Sequence, residues 1–195
     1  MHAERLVKLT KATMMSQEPD LKREKFQELI LYIATRLGPE AALGRVKLAK
    51  LLMASDFGAF ERLGEPITGA TYEKWPQGHL PRELLLAERD LEAEGAIAVE
   101  SENYYGKRLK RITARREPDM RAFSEDELAV IERALRIFGF ESASHLSELS
   151  HQELGWRLAK MKEPIPYETV FLGSGGVADS DLRRGEELAS AHGWN

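Results

Sequence analysis

Five histidines, one serine between glycines and a segment dense in carboxylates are the groups in this 195-residue chain whose types could do chemistry. Ser174, in LGSGGV, is the nearest thing to a nucleophile, with His145 or His151 as its conceivable base in a hydrolase. It lacks the G-x-S-x-G spacing of a strained elbow and no run of strands precedes it, so an ordinary loop is the plainer reading. The same glycines are followed by no G-K-[ST], so they do not form a phosphate loop. His2, His79, His145, His151 and His192 never recur at the i, i+3 or i+4 spacing that puts two metal ligands on one helical face, and no H-E-x-x-H occurs. Glu88, Asp90, Glu92 and Glu94 read as a solvated helix face rather than a matched acid and base. The sequence therefore predicts no enzyme, no cofactor and no metal site, and attention passes to surfaces.

Composition agrees with a packed domain. Apolar residues make up 43% and charged residues 31%, while the absence of cysteine removes disulfides and thiolate chemistry together. No apolar run reaches the ~18 residues needed to cross a bilayer, and no secretory leader is legible, so the expected location is cytoplasmic. The net charge of −4 gives no global attraction to nucleic acid or anionic membrane, and any such binding would have to be local.

Periodicity predicts the elements. Residues 1–19 form an arm without clear period, and 20–195 are expected to make one domain. Asp20 is the expected cap of a helix that places Phe26, Leu29, Ile30, Ile33 and Leu37 on one face before Gly38-Pro39. A second helix over 45–63 carries Leu48, Leu51, Leu52, Phe57 and Phe60 and ends at Gly64. Pro81 suits the first turn of a third helix whose Leu84, Leu85 and Leu91 would face inward before Gly95. AIAVES and RLKRITA, joined by ENYYGK, predict a β-hairpin. Ser124 with Glu127, and Ser150 with Glu153, have the capping-box spacing at the starts of two later helices. The segment 142–150 adds a turn or two of helix, and a last helix is expected over about 180–191. The fold class is mainly α with a small β-hairpin, winged-helix-like, with additional C-terminal helices.

A winged helix reads DNA with its third helix, and charge tests that possibility. Against Arg82 and Arg89 stand Glu83, Glu88, Asp90, Glu92 and Glu94, a net −3 where phosphates would have to approach. The hairpin differs: Lys107, Arg108, Lys110, Arg111, Arg115 and Arg116 against Glu100 and Glu102 give +4 beside Tyr104 and Tyr105. Its tip could meet nucleic acid or an acidic protein, or its cations could simply protect a strand edge.

KLAKLLMASDF (47–57), GEPITGATYEKWPQGHLP (64–81), SHLSELSHQELGWR (144–157) and PIPYE (164–168) together resemble the SocA-like antitoxin, or Panacea, family over about 46–170. The most specific piece is P-I-T-G-A-T-Y-x-K followed by a proline and glycine turn. The resemblance implies a non-enzymatic protein that neutralises the toxin of a bacterial or phage toxin–antitoxin module by direct binding. The family's namesake hands its toxin to a ClpXP-type protease. Gln77 and His79 stand where many relatives have Tyr and Pro, and Met53 replaces a common Tyr.

The stretch PITGATYEKWPQGHLP then has a physical reading. Pro66 and Gly69 lead the chain off the second helix in an extended path, Ile67 and Tyr72 pack inward, and Pro76-Gln77-Gly78 turns it toward the third helix. Trp75 and His79 are expected to stand partly exposed and, with Tyr72 and Lys74, to anchor a protein partner, with Tyr104 and Tyr105 as further candidates. The alternative is a DNA-binding autoregulator using Lys107, Arg108, Lys110 and Arg111.

Overall fold

The computed structural model describes residues 19–172 apart from 39, 40, 42, 105 and 106, with the backbone alone at 102–104 and 107–109. The expected arm, apart from Pro19, and the expected last helix lie outside the described residues, as does Ser174.

Helix α1 spans Arg23–Leu37 and buries Phe26, Leu29, Ile30 and Ile33, as their spacing requires. Asp20 is not its cap. The N-cap position is Lys22, and its backbone N–H donates to Thr68 O at 2.8 Å, so a distant loop satisfies the helix end in place of a local side chain. Helix α2, Arg45–Leu63, runs through the centre and is buried nearly all round, from Leu48, Leu51 and Leu52 to Phe57 and Ala59.

Between α2 and the next helix the chain makes a hairpin where an irregular extended path was expected. Strand β1, Tyr72–Trp75, pairs antiparallel with β2, Gly78–Pro81, in the register Tyr72↔Pro81 and Trp75↔Gly78. Prolines hide this hairpin in the sequence, yet Pro76 lies in the two-residue turn and Pro81 closes β2, positions where a missing N–H is tolerated. Pro81 accordingly does not open a helix. Helix α3 starts later, at Leu84–Ala93, with Leu84 and Leu91 buried but Leu85 47% exposed, contrary to its expected inward position. Glu88 also departs from expectation: it is buried, and Arg45 grips both its oxygens at 2.6–3.0 Å.

The second hairpin follows as the sequence indicates, β3 Ile97–Tyr104 against β4 Lys107–Ala114. Ile112 N–H donates to Leu43 O at 2.8 Å, tying the hairpin to the approach to α2. The helix, helix, helix, hairpin order of a winged helix is thus present, with β1–β2 set between the second and third helices.

Helix α4, Glu125–Phe138, begins at the expected capping box: Glu127 N–H donates to Ser124 Oγ and Ser124 N–H to Glu127 Oε2. Its apolar stripe, Val130, Ile131, Ala134 and Leu135, packs on α2. Lys25 pairs with Glu127 and Arg36 with Glu132, joining α4 to α1. Helix α5, Ala143–Gln152, is capped by Ser142. The Ser150–Glu153 capping box does not form, because Ser150 lies inside α5, buried, with its hydroxyl donating to Ser147 O. A short α6, Leu154–Leu158, and a 3-10 turn over Tyr167–Leu172 complete the described chain. Among the described residues no helix is long and apolar enough to cross a membrane.

Candidate protein-binding site

The loop from Pro66 to Thr71 is held from below by one carboxylate. Asp56, fully buried on α2, accepts from Thr68 N–H at 2.8 Å on Oδ1 and from the hydroxyls of Thr68 and Tyr72 on Oδ2. Burial raises the Asp56 carboxyl to about 6 despite these donors, each of which favours the charged form. Tyr167 adds a hydrogen bond to Ala70 O at 2.6 Å, and the rings of Phe57, Tyr72 and Tyr167 meet at 4.7–6.0 Å. The loop is therefore fixed by a polar knot inside an aromatic cluster, which sets where β1 begins.

The hairpin turn is fixed in turn by Lys50. Its buried ammonium donates to His79 O at 2.9 Å, and burial lowers its pKa to about 7 against the opposing pull of Glu153. Gly78 has φ +99°, and a Cβ there would run into Ser150 Oγ and Lys50 Nζ, so only glycine fits. The His79 ring is 1% exposed and packs edge-on to Phe57 at 5.7 Å. Neither ring nitrogen has a hydrogen-bond partner among the described residues; Glu153 Oε2 lies 3.5 Å from Nε2. Burial, with Lys50 and His151 nearby, drives the His79 pKa down to about 3, so the ring is neutral near pH 7. Burial also raises Glu153, to about 7, with Lys50 opposing; the 40% of its side chain in contact with water limits that effect.

The outer edge of β1 is covered by the chain after α6. Lys74 N–H donates to Glu163 O, Lys162 N–H to Lys74 O and Ile165 N–H to Tyr72 O, at 2.7–3.1 Å. These bonds bring the Trp156 turn against the hairpin. Trp156 Nε1 donates to Trp75 O at 3.2 Å, the His151 ring stacks on Trp156 at 4.1 Å, and Lys74 Nζ sits 4.1 Å from the Trp156 ring centre while donating to Ala159 O. Lys162 Nζ stands 5.4 Å over the Trp75 ring, whose Nε1 donates to Glu73.

The four motif pieces thus form one body: α2 beneath, the hairpin upon it, α5–α6 at its side and residues 164–168 along its edge. A family model for the antitoxin SocA-like Panacea domain matches residues 48–157. This chain belongs to that family. No curated protein and no solved structure matches it.

In this Panacea domain the expected partner-binding residues separate. Tyr72 is buried with its hydroxyl on Asp56, and His79 is buried under the turn, so the expected exposure of His79 is corrected: with Gly78 at the turn, its side chain points into the space between α2 and α5. Trp75 and Lys74 are half-buried, Trp75 under the Lys162 ammonium and Lys74 against the Trp156 ring. Tyr105 lies outside the described residues, as do the side chains of Tyr104, Lys107 and Arg108; Lys110 is exposed and Arg111 half-buried. Two other cations of the basic hairpin are engaged, Arg115 with Glu100 and Arg116 with Glu28. His145 lies 3.9 Å from Glu141 and His151 serves as a stacking partner. Among the described residues no group of histidines and carboxylates could hold a metal.

Sequence reasoning missed Asp56, Lys50, Trp156 and Lys162. Asp56 had a signal, a lone carboxylate four residues after Leu52 in the apolar stripe of α2. Lys162 had none, since its place beside Trp75 depends on the backbone bond from Lys162 N–H to Lys74 O, far apart in the chain.

Proposed function

We propose that this Panacea-domain chain is the antitoxin of a bacterial or phage toxin–antitoxin module and neutralises a cognate protein toxin by direct binding. The carrying observation is the match to SocA-like antitoxins over 48–157, the portion that contains β1–β2 and the Trp156 turn. The polar groups within that body support binding over bond chemistry. Asp56 and Lys50 hold the loop and the turn, and His79 is buried beneath the hairpin. Exposed shape and charge are what remain for function.

Binding serves two outcomes, blocking the toxin in place or handing it to a ClpXP-type protease. Both begin with the same contact. A DNA-binding autoregulator is less well supported, because α3 is acidic and Arg115 and Arg116 are already paired.

Co-expression with the product of the adjacent open reading frame tests the reading. That product should arrest growth alone and cease to do so when this chain is present. A harmless product, or arrest that persists, overturns it. Rescue that survives deletion of ClpXP marks steric neutralisation, and rescue that requires ClpXP marks delivery.

A further inference from the structure

The segment from Trp156 to Lys162 reads WRLAKMK and carries three cations and no carboxylate, in a chain of net charge −4. Arg157, Lys160 and Lys162 are all exposed, and no ion pair engages them among the described residues. Leu158 and Met161, 51% and 53% exposed, stand between them in sequence, and Lys162 joins the segment to half-buried Trp75. The two neighbouring acids are already engaged: Glu73 is held by Arg82 at 2.7 Å and by Trp75 Nε1, and Glu163 accepts the Lys160 N–H at 3.0 Å.

The turn is also strained in a way that serves this surface. Lys162 has φ +64°, the left-handed region that a non-glycine residue enters at a cost of about 1 kcal/mol. Its N–H bond to Lys74 O and the Glu163 N–H bond to Lys160 O hold it there, and its ammonium ends over Trp75. Glycine would adopt that backbone freely, and lysine places an exposed charge over Trp75 instead.

We propose that this ledge, Trp75, Arg157, Leu158, Lys160, Met161 and Lys162, is the contact face for the toxin, and that it receives an acidic segment bearing an apolar anchor. The claim rests on the antitoxin reading and adds to it a place and a chemistry. Leu158 and Met161 supply adaptable apolar area, Trp75 a rigid aromatic wall, and the three cations select acidic over basic segments through complementarity at the rim. The exposed leucines of α3 lack this frame. Leu85 and Leu86 on α3 lie among Arg82, Glu83, Arg89 and Asp90, charges of both signs.

The test uses the full chain and the purified product of the adjacent open reading frame, with affinity and growth rescue read together. Arg157→Glu, Lys160→Glu and Lys162→Glu combined should weaken binding by about 30-fold or more and abolish rescue. An equal charge change elsewhere, Arg62→Glu with Arg89→Glu and Arg133→Glu, should change affinity by less than about threefold. Lys162→Gly relieves the strained backbone, so it should hold or raise the melting temperature while weakening binding about fivefold, which separates contact from folding. If the wild-type chain rescues and the ledge variants rescue and bind equally well, the ledge is wrong and the antitoxin reading stands. If the wild-type chain neither binds nor rescues, both fall. Retention of the chain's own promoter DNA, lost on the same three reversals, would assign the ledge to nucleic acid and overturn the proposal.

Discussion

The hydroxyl of Tyr72 donates to Asp56 Oδ2 across 2.8 Å, joining the first residue of the hairpin to the central helix at a point closed to solvent. Thr68 donates to both oxygens of the same carboxylate, so one acid fixes both ends of the segment 68–72. A buried carboxylate is expensive to desolvate, and here its return is the position of a strand.

Asp56→Ala would leave the Thr68 N–H and the hydroxyls of Thr68 and Tyr72 buried without an acceptor, so it should cost about 3–5 kcal/mol in urea unfolding. Tyr72→Phe removes one donor and should cost about 1–2 kcal/mol. Because the Asp56 carboxyl is raised from 3.8 to about 6, the folded state binds more proton than the unfolded chain in that window, and this group's contribution to stability declines as pH rises through it. A loss below about 1 kcal/mol for Asp56→Ala would show that the loop is held by packing instead.

Arg45 and Glu88 make a second prediction. Glu88 keeps only 4% of its surface in water, so Arg45→Met strands a buried charge and should destabilise by about 3 kcal/mol. Adding Glu88→Leu should recover most of that loss, since the charge and its partner then leave together. A double variant no better than the single one would mean that α3 needs the pair itself.

His79 should give a pH signature. Its ring has a pKa near 3 when folded and near 6.5 when unfolded, so its contribution is fully present above pH 6.5 and is lost as pH falls toward about 3. Lys50, His151 and Glu153 face the ring, and only Glu153 could offset that loss. The stability of His79→Gln minus that of the wild type should therefore climb as pH drops below 6.5, by up to about 1.4 kcal/mol per pH unit. A flat difference would mean that the folded ring accepts a proton.

Trp75→Ala separates interface from scaffold. The hydrogen bond from Trp156 ends on the backbone oxygen of Trp75 and survives truncation, so the melting temperature should fall by only a few degrees. Toxin binding should weaken by about 2 kcal/mol. Parallel losses of binding and stability would return Trp75 to a packing role.

Helix spacing was legible because a 3.6-residue period is written locally: Phe26, Leu29, Ile30 and Ile33 announce α1, and Ser124 with Glu127 announce the start of α4. The same spacing rule failed at Ser150 and Glu153, where a continuing helix overrode a local cap. Pro76 and Pro81 concealed β1–β2, since strand propensity counts prolines against a sheet without knowing which edge they occupy. Trp75 was legible as a candidate from residue type, while its companions at 156–162 were not, because they reach it only through the pairing of β1 with residues 162–165.

The amino-acid order by itself determined helices α1, α2 and α4, the basic hairpin, the family and the lack of local metal or nucleophile motifs, because each is set by neighbours a few positions apart. Only the tertiary structure decided that His79 and Glu88 are buried, that Asp56 holds the loop and that Lys162 lies over Trp75. Burial and long-range contact depend on which faces meet, and local spacing carries no record of that.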